Sequence, residues 1–443
     1  DHRDLHLSLR RQRQMCIRDS VKEQVKLADG RTAIQMRCEM ESFMRSCVEL
    51  YKELAPSSRL RTVDTPFLPE DQALSPHGKP LKDGPIRECP WCRHSFPADS
   101  VVYKDSKAYE DATRNRKRQQ EAINAKRKED DEKDRGALAP CAAKIVMKIL
   151  YGARFVRMDL LRIIGFLACA FTRWTSTCDK RLHRLVSYID STVNACQVGW
   201  VADPLSSLFP VLYADADFAG CVNTQRSTTG VFMVIRGPFS CWPLVGLSKR
   251  QGCVSNSTPE AEIVATAHAL RQIGLPALEF WQKLLPHSPK MWFLEDNQAM
   301  LQCCKTGRNP TMRHLLRSHR VSVAWIHEQY KSPNFTFAHE SGEAMPPDVF
   351  TKMFADKDKW KKARQLISII LPEEFPAVIK LKKEITEGIL EKPALAAIGF
   401  PNGGISKPVS APWVPKNVNL SDHFYNSTRG CLLYTSPSPR DRG

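Results

Sequence analysis

The stretch that decides the fold is FPVLYADADFAG, residues 209–220. In an extended chain successive side chains point to opposite faces, so Val211, Tyr213, Asp215 and Asp217 share one face while Leu212, Ala214, Ala216 and Phe218 share the other. A carboxylate therefore sits in mid-strand, and alternation alone leaves Asp215 and Asp217 equal candidates for a ligand.

Working outward, TTGVFMVIRG (228–237) and CWPLVGLSKRQGCV (241–254) read as two further strands joined by a Gly-Pro turn at 237–238, which makes a three-stranded meander. NSTPEAEIVATAHALRQ (256–272) opens a helix: Ser257 or Thr258 is the N-cap, Pro259 occupies the first turn, and Glu260 and Glu262 lie near the positive end of the dipole. MWFLED (291–296) is a short strand ending at Asp296, which begins a helix DNQAMLQCC, with Asn297 a helix-start residue first and a substrate contact second. Open α/β sheets build their sites at such carboxyl ends. NFTFAH (334–339) is one more strand, and Asp348 begins a last helix, PDVFTKMF.

The chain order is therefore three strands, helix, strand, helix, strand, helix, with acids on the first strand, first long helix, fourth strand and last helix. The words YADADFAG, QRSTTGVFM, LSKRQ, STPEAEIVA, LEDNQAM and PPDVFTKMF occur in that order within residues 213–354. In this order they resemble the ribonuclease H domain of copia-type retrotransposon Pol polyproteins. The resemblance implies an α/β, RNase H-like domain over 208–362 with a mixed five-stranded sheet and covering helices. It implies Asp215, Glu262, Asp296 and Asp348 as metal ligands and catalytic residues, with Asp217 behind Asp215 or facing solvent and Glu260 a capping residue. His339 falls where the family often has a histidine near the scissile phosphate; a structural histidine is the plain alternative. RHLLRSHR sets His314 and His319 one residue off the family's paired-histidine spacing, and Pro346 and Pro347 replace an apolar-small pair.

The chemistry implied is cleavage of the RNA strand of an RNA–DNA hybrid by two Mg²⁺ ions, for which Mn²⁺ can substitute. One ion activates water and the other, about 4 Å away, stabilises the leaving oxygen. Hard oxygen ligands suit these ions, and clustered carboxylates repel one another without them. The expected partners are the hybrid and the remainder of a Pol polyprotein, with no membrane; the expected location is the cytoplasm, in virus-like particles, or the nucleus. The competing expectation is a decayed or domesticated remnant that binds nucleic acid, or supports its neighbours, without turnover.

Upstream, RLRTVDTPFL (59–68) and the helical text of 153–192 resemble the thumb and connection that follow a copia-type polymerase palm. Helical remnants are thus expected over 21–68 and 140–200, the former with a helix from 35 to 54, and a domain boundary at 195–207. With no Tyr-x-Asp-Asp word, polymerase activity is not expected. Residues 69–139 read as a charged, Pro-rich linker, with basic blocks RNRKR and KRK before EDDEKDR. Within it CPWC (89–92), with His94, is half a zinc site whose second half is missing, Cys141 being distant, so zinc at Cys89 and Cys92 is not expected. Residues 363–429 read as a tail with one helix near 375–391. Residues 1–20 and 430–443 resemble translated linker sequence and are set aside.

Sixty-five Lys and Arg against 48 Asp and Glu give a net charge of +17, which suits a polyanionic partner or simply a solvated basic surface. Arg313, Arg317 and Arg320 read first as a solvated helix face and second as candidates to grip phosphates. Fifteen scattered cysteines read as reduced thiols rather than a disulfide framework. The longest apolar run, Leu160 to Phe171, is broken by Arg162 and falls short of the roughly 20 residues that span a membrane.

Overall fold

A computed structural model describes residues 20–27, 30–56, 59–69, 86–88, 95–97, 134–221 and 224–392. The CPWC word with His94, the basic blocks of the linker and the C-terminal linker-like segment lie outside the described residues.

The chain enters through a hairpin, β1 (Ser20–Lys26) and β2 (Thr32–Cys38), followed by α1 (Glu41–Leu54). A separate short pair, β3 (Ile86–Glu88) and β4 (Ser95–Pro97), is antiparallel. Then come α2 (Ala142–Phe155), α3 (Leu161–Ala168), α4 (Ser176–Ser191) and β5 (Cys196–Val201). The meander is β6 (Phe209–Asp217), β7 (Thr228–Gly237) and β8 (Ser240–Arg250). It is followed by α5 (Thr258–Ala269), which passes through a π-helical turn (Leu270–Gly274) into α6 (Leu275–Leu284). Pro276 has no N–H to offer the carbonyl four residues back, a local reason for the ladder to shift there. The remainder is β9 (Met291–Glu295), α7 (Gln298–Thr306), α8 (Leu315–Ser318), α9 (Val323–Lys331) and β10 (Phe335–His339). After these come α10 (Asp348–Thr351), α11 (Lys357–Leu366), β11 (Ile369–Ile370) and α12 (Phe375–Glu391).

The molecule is mixed α/β, and the sheet is mixed: its order is β1-β2-β5-β8-β7-β6-β9-β10, with β11 also pairing β5. The β6–β9 and β9–β10 pairs are parallel and the others antiparallel. The five strands from β8 to β10 are those expected, but the sheet does not stop there. The mainly helical texture expected for 21–68 and 140–200 holds for α1 to α4 only. β1, β2 and β5 add to the sheet through β8, and the strand pairing runs straight through the boundary expected at 195–207. The apolar residues at the start of the 35–54 helical reading explain part of the difference: Met36 lies in β2, and the helix begins at Glu41. A short segment with apolar residues at mixed spacing fits either period, and pairing with β1 and β5 decides for strand.

Alternation on β6 divides the interior. Val211 and Tyr213 face a core built with α1 to α4, α11 and α12, including Ile145, Ile164, Leu182, Trp360 and Val378. Leu212 and Ala214 face a second core built with α5, α6, α7 and α9, including Ile263, Trp281, Met300 and Ile326. A strand buried on both faces needs apolar residues at both parities, as FPVLYA provides.

The first core also holds a polar network. Arg157 Nε and Nη2 reach Asp159 Oδ1 and Oδ2 at 2.9 and 2.8 Å, and Arg157 Nη1 donates to Thr192 O at 2.8 Å. Tyr188 Oη donates to Asp159 Oδ2 at 3.2 Å, and Trp360 Nε1 to Tyr188 Oη at 3.0 Å. Each buried charge is answered, so upstream helices and α11 are locked together across the layer. Among the described residues, no helix is long and apolar enough to cross a membrane.

Candidate metal centre

Strand register sets the first two carboxylates. β6 and β9 pair in parallel at Tyr213↔Leu294, so two steps further Asp215 comes opposite Asp296, the residue just past the end of β9. On its other side Asp215 pairs with Gly230 of β7. A Cβ at 230 would lie 2.7 Å from Thr351 Cγ2 and 2.8 Å from Pro347 O, so glycine is what lets the single turn α10 rest on the strand. From there Thr351 Oγ1 donates a short hydrogen bond to Asp215 Oδ2. Glu262 arrives from the start of α5, whose cap is Ser257 accepting from the Glu260 N–H at 3.4 Å.

One ligand oxygen from each of Asp215, Glu262 and Asp296 lies within 4.8 Å of the others. Asp215 and Glu262 are each 3% exposed. Burial, and then the neighbouring carboxylates, push Glu262 well above the usual carboxylate range; burial also raises Asp215, against the pull of Lys352 and the Thr351 hydroxyl. Glu262 Oε2 has no hydrogen-bond partner. A buried, unpartnered oxygen among like charges is costly unless a cation joins it. The donors are all hard oxygens, so the set fits Mg²⁺ or Mn²⁺.

The fourth expected acid, Asp348, is not one of these mutually close groups. It lies within electrostatic reach of Asp215 and pairs with Lys352 Nζ at 2.6 Å, one helical turn on. Burial, then Asp215, pushes its carboxyl up to about 7. The Lys352 ammonium is held above its ordinary range, because Asp215 and Asp348 outweigh the burial that opposes them. His339 is exposed, its Nε2 3.1 Å from the Asp296 carbonyl oxygen. Asn297 caps α7 by accepting from the Met300 N–H at 2.9 Å.

The alternatives to Asp215 and Glu262 are otherwise engaged. Asp217 pairs with Arg162 at 3.1 Å, and burial, opposed by that guanidinium, raises its carboxyl to about 6. Glu260 does more than cap: its Oε1 lies 3.1 Å from His314 Nε2 and 3.4 Å from His319 Nε2. The two histidines thus anchor the segment carrying Arg313, Arg317 and Arg320, all exposed, onto the start of α5.

Sequence reasoning passed over Glu295, which is fully buried with Oε2 unpartnered. Burial and then Glu262, Asp215 and Asp296 raise it well above the usual range. Its signal was present: it lies in phase with Met291 and Phe293, on the side of β9 that faces the second core. Lys352 could be read from its four-residue step after Asp348. Arg162 was visible only as a cation interrupting an apolar run.

No family model matches the chain. It is 24% identical over 240 residues to the retrovirus-related Pol polyprotein from transposon TNT 1-94 of Nicotiana tabacum, covering 54% of this chain and 17% of that protein. The chain therefore spans about a sixth of the polyprotein's length, and the likeness supports a retrotransposon Pol-like origin. It is also 30% identical over 124 residues to the secreted RxLR effector protein 161 of Plasmopara viticola, covering 28% of this chain and 82% of that protein. Among solved structures, LC11-RNase H1, isolated from compost, aligns over 32% of this chain and 92% of its own, with 17% identity and a TM-score of 0.22.

Proposed function

The chain belongs, through those 124 shared residues, to one family with the secreted RxLR effector protein 161 of Plasmopara viticola; from its carboxylate cradle and its likeness to a Pol polyprotein we propose a metal-dependent ribonuclease H of copia type, cutting the RNA strand of RNA–DNA hybrids. The observation that carries this is the convergence of Asp215, Glu262 and Asp296 from three separate elements. The strand order β8-β7-β6-β9-β10, antiparallel then parallel, with α5 after the meander, supports an RNase H-like fold for 208–362.

Asp215, Glu262 and Asp296 would hold Mg²⁺ or Mn²⁺, with Asp348 joining once Lys352 swings aside. When bound, a pair of such ions would activate water and stabilise the leaving oxygen. The chain's own residues do the rest. Thr351 keeps one oxygen of Asp215 oriented. Asn297 and the α7 cap fix the peptide after Asp296. His339, exposed beside the Asp296 carbonyl, exchanges a proton near the scissile phosphate. The exposed arginines of 313–320 grip backbone phosphates of the hybrid, recognised by shape and 2′-hydroxyls rather than base edges.

The test is incubation of the full chain with end-labelled hybrid and Mg²⁺ or Mn²⁺. RNA-strand cleavage that is absent on duplex DNA and lost in Asp215→Asn is expected. Salt-dependent hybrid binding with no cleavage at any metal concentration would remove the nuclease and leave the reading of a decayed, binding-only remnant.

A further inference from the structure

Arg162 belongs to α3, in the layer upstream of the meander, yet it is buried, at 7% exposure, against residues that adjoin the cradle. It makes two contacts there. Its Nε donates to the Thr351 carbonyl oxygen at 2.7 Å, and its Nη2 donates to Asp217 Oδ2 at 3.1 Å. Both partners bear on Asp215. Asp217 shares its strand face, two residues on, and Thr351 supplies the hydroxyl that Asp215 accepts. The planar fork of a guanidinium can satisfy a carbonyl and a carboxylate in one fixed geometry, which a lysine ammonium does not reproduce.

We propose that Arg162 is a positioning residue that assigns the two aspartates of YADAD: it holds Asp217 out of the cation cradle as its own counter-ion and fixes the peptide of Thr351 so that Asp215 faces in. This rests on the reading of the cradle as a divalent-cation site. The strand by itself offers both carboxylates on one face, and the choice between them is made by a helix from outside the 208–362 segment. The functional unit therefore includes α3. Freed from Arg162, Asp217 becomes a second acid competing for the cation and repelling Asp215, and α10 loses the hydrogen bond that holds the Thr351 carbonyl.

The experiment uses the full chain and reads Mn²⁺ binding by calorimetry beside hybrid-cleavage kinetics and thermal unfolding. Arg162→Met is expected to weaken Mn²⁺ binding and kcat by roughly ten- to a hundred-fold, the usual range for a group that orients a ligand, with KM for hybrid unchanged. Adding Asp217→Asn to it is expected to recover most of the Mn²⁺ affinity, since the freed carboxylate is then gone; a residue needed only for packing would show no such recovery. Should Arg162→Met not fold, Arg162→Lys carries the test, with an expected loss of about three- to ten-fold because the ammonium cannot serve both acceptors. Unchanged affinity in these variants, or a loss that Asp217→Asn leaves in place, overturns the proposal. Wild-type chain that binds Mn²⁺ in an Arg162-dependent way without cleaving hybrid removes the nuclease and keeps the positioning role; wild-type chain that binds no Mn²⁺ removes both.

Discussion

Asp159 and Glu262 are both buried carboxylates, 0% and 3% exposed, and the fold treats them in opposite ways. Asp159 takes two hydrogen bonds from Arg157 and one from Tyr188, and that network joins the upstream helices to α11. Glu262 is set among Asp215, Asp296 and Glu295 with one oxygen left without a partner. Burying a charge is tolerable when the geometry answers it. Where the same chain gathers several carboxylates and leaves an oxygen of both Glu262 and Glu295 without a partner, the arrangement suits the binding of a cation. These two carboxylates, Asp159 and Glu262, are thus told apart by whether the surrounding side chains balance them.

The comparison is broken most severely by neutralising the cradle. Asp215→Asn or Glu262→Gln is expected to lower hybrid cleavage on the order of a thousand-fold or more, while leaving metal-free thermal stability unchanged or slightly raised, because one repelling carboxylate is gone. Single-turnover cleavage and a melt on the same preparations check both halves. A variant that loses stability in step with activity would put Glu262 in the architectural class with Asp159.

The converse change comes next. Asp159→Asn leaves the buried Arg157 without its counter-charge, and a loss of about 3–5 kcal/mol in denaturant unfolding is expected, with cleavage per folded molecule retained. If activity fell while stability held, the division between the two regions would fail.

How much of this was legible beforehand depends on what each residue's signal was made of. Strand alternation and helix caps depend on near neighbours, and they placed Asp215, Glu262 and Asp296 on the right elements. The tie between Asp215 and Asp217 could not be resolved locally, because the deciding group, Arg162, is 55 residues away. His314 and His319 looked misplaced by spacing, yet both reach Glu260, since α8 is a single turn followed by Arg320 in a left-handed conformation at φ 56°. A helical count fails where the helix ends. β1, β2 and β5 were lost for a similar reason: short strands whose partners lie far along the chain carry little local period. Residues 363–429 read as a tail with one helix near 375–391; α12 spans Phe375–Glu391, and what local period did not carry is β11 before it and the burial of Val378 and Ile389 in the first core.

A milder probe is pH. The carboxyls of Asp348 and Asp217 are raised to about 7 and about 6, so the folded chain holds protons that the unfolded chain has released. The stability from this is fully present below the ordinary carboxylate range and is lost as pH rises through 6 and 7. Metal-free protein is therefore expected to melt lower at pH 8 than at pH 5, by roughly 2–4 °C for each kcal/mol involved, and millimolar Mg²⁺ is expected to reduce the part of that slope that comes from Asp348 while leaving the part from Asp217. A flat or rising profile without metal would mean that the cradle is not short of positive charge.

The smallest effect is expected at the histidine clamp. Glu260→Gln keeps the side chain's size but drops its charge toward His314 and His319, and a loss of about 1 kcal/mol in stability with a modest rise in KM for hybrid is expected. Unchanged KM would separate the arginine segment from substrate binding.

The most direct measurement is calorimetric titration of Mn²⁺ into the full chain, wild type beside Glu262→Gln and Asp159→Asn. Binding that is lost in the first variant and kept by the folded fraction of the second is the predicted result. Mn²⁺ binding indifferent to Glu262, or no binding to the wild type, would contradict the claim that these carboxylates were gathered for a cation.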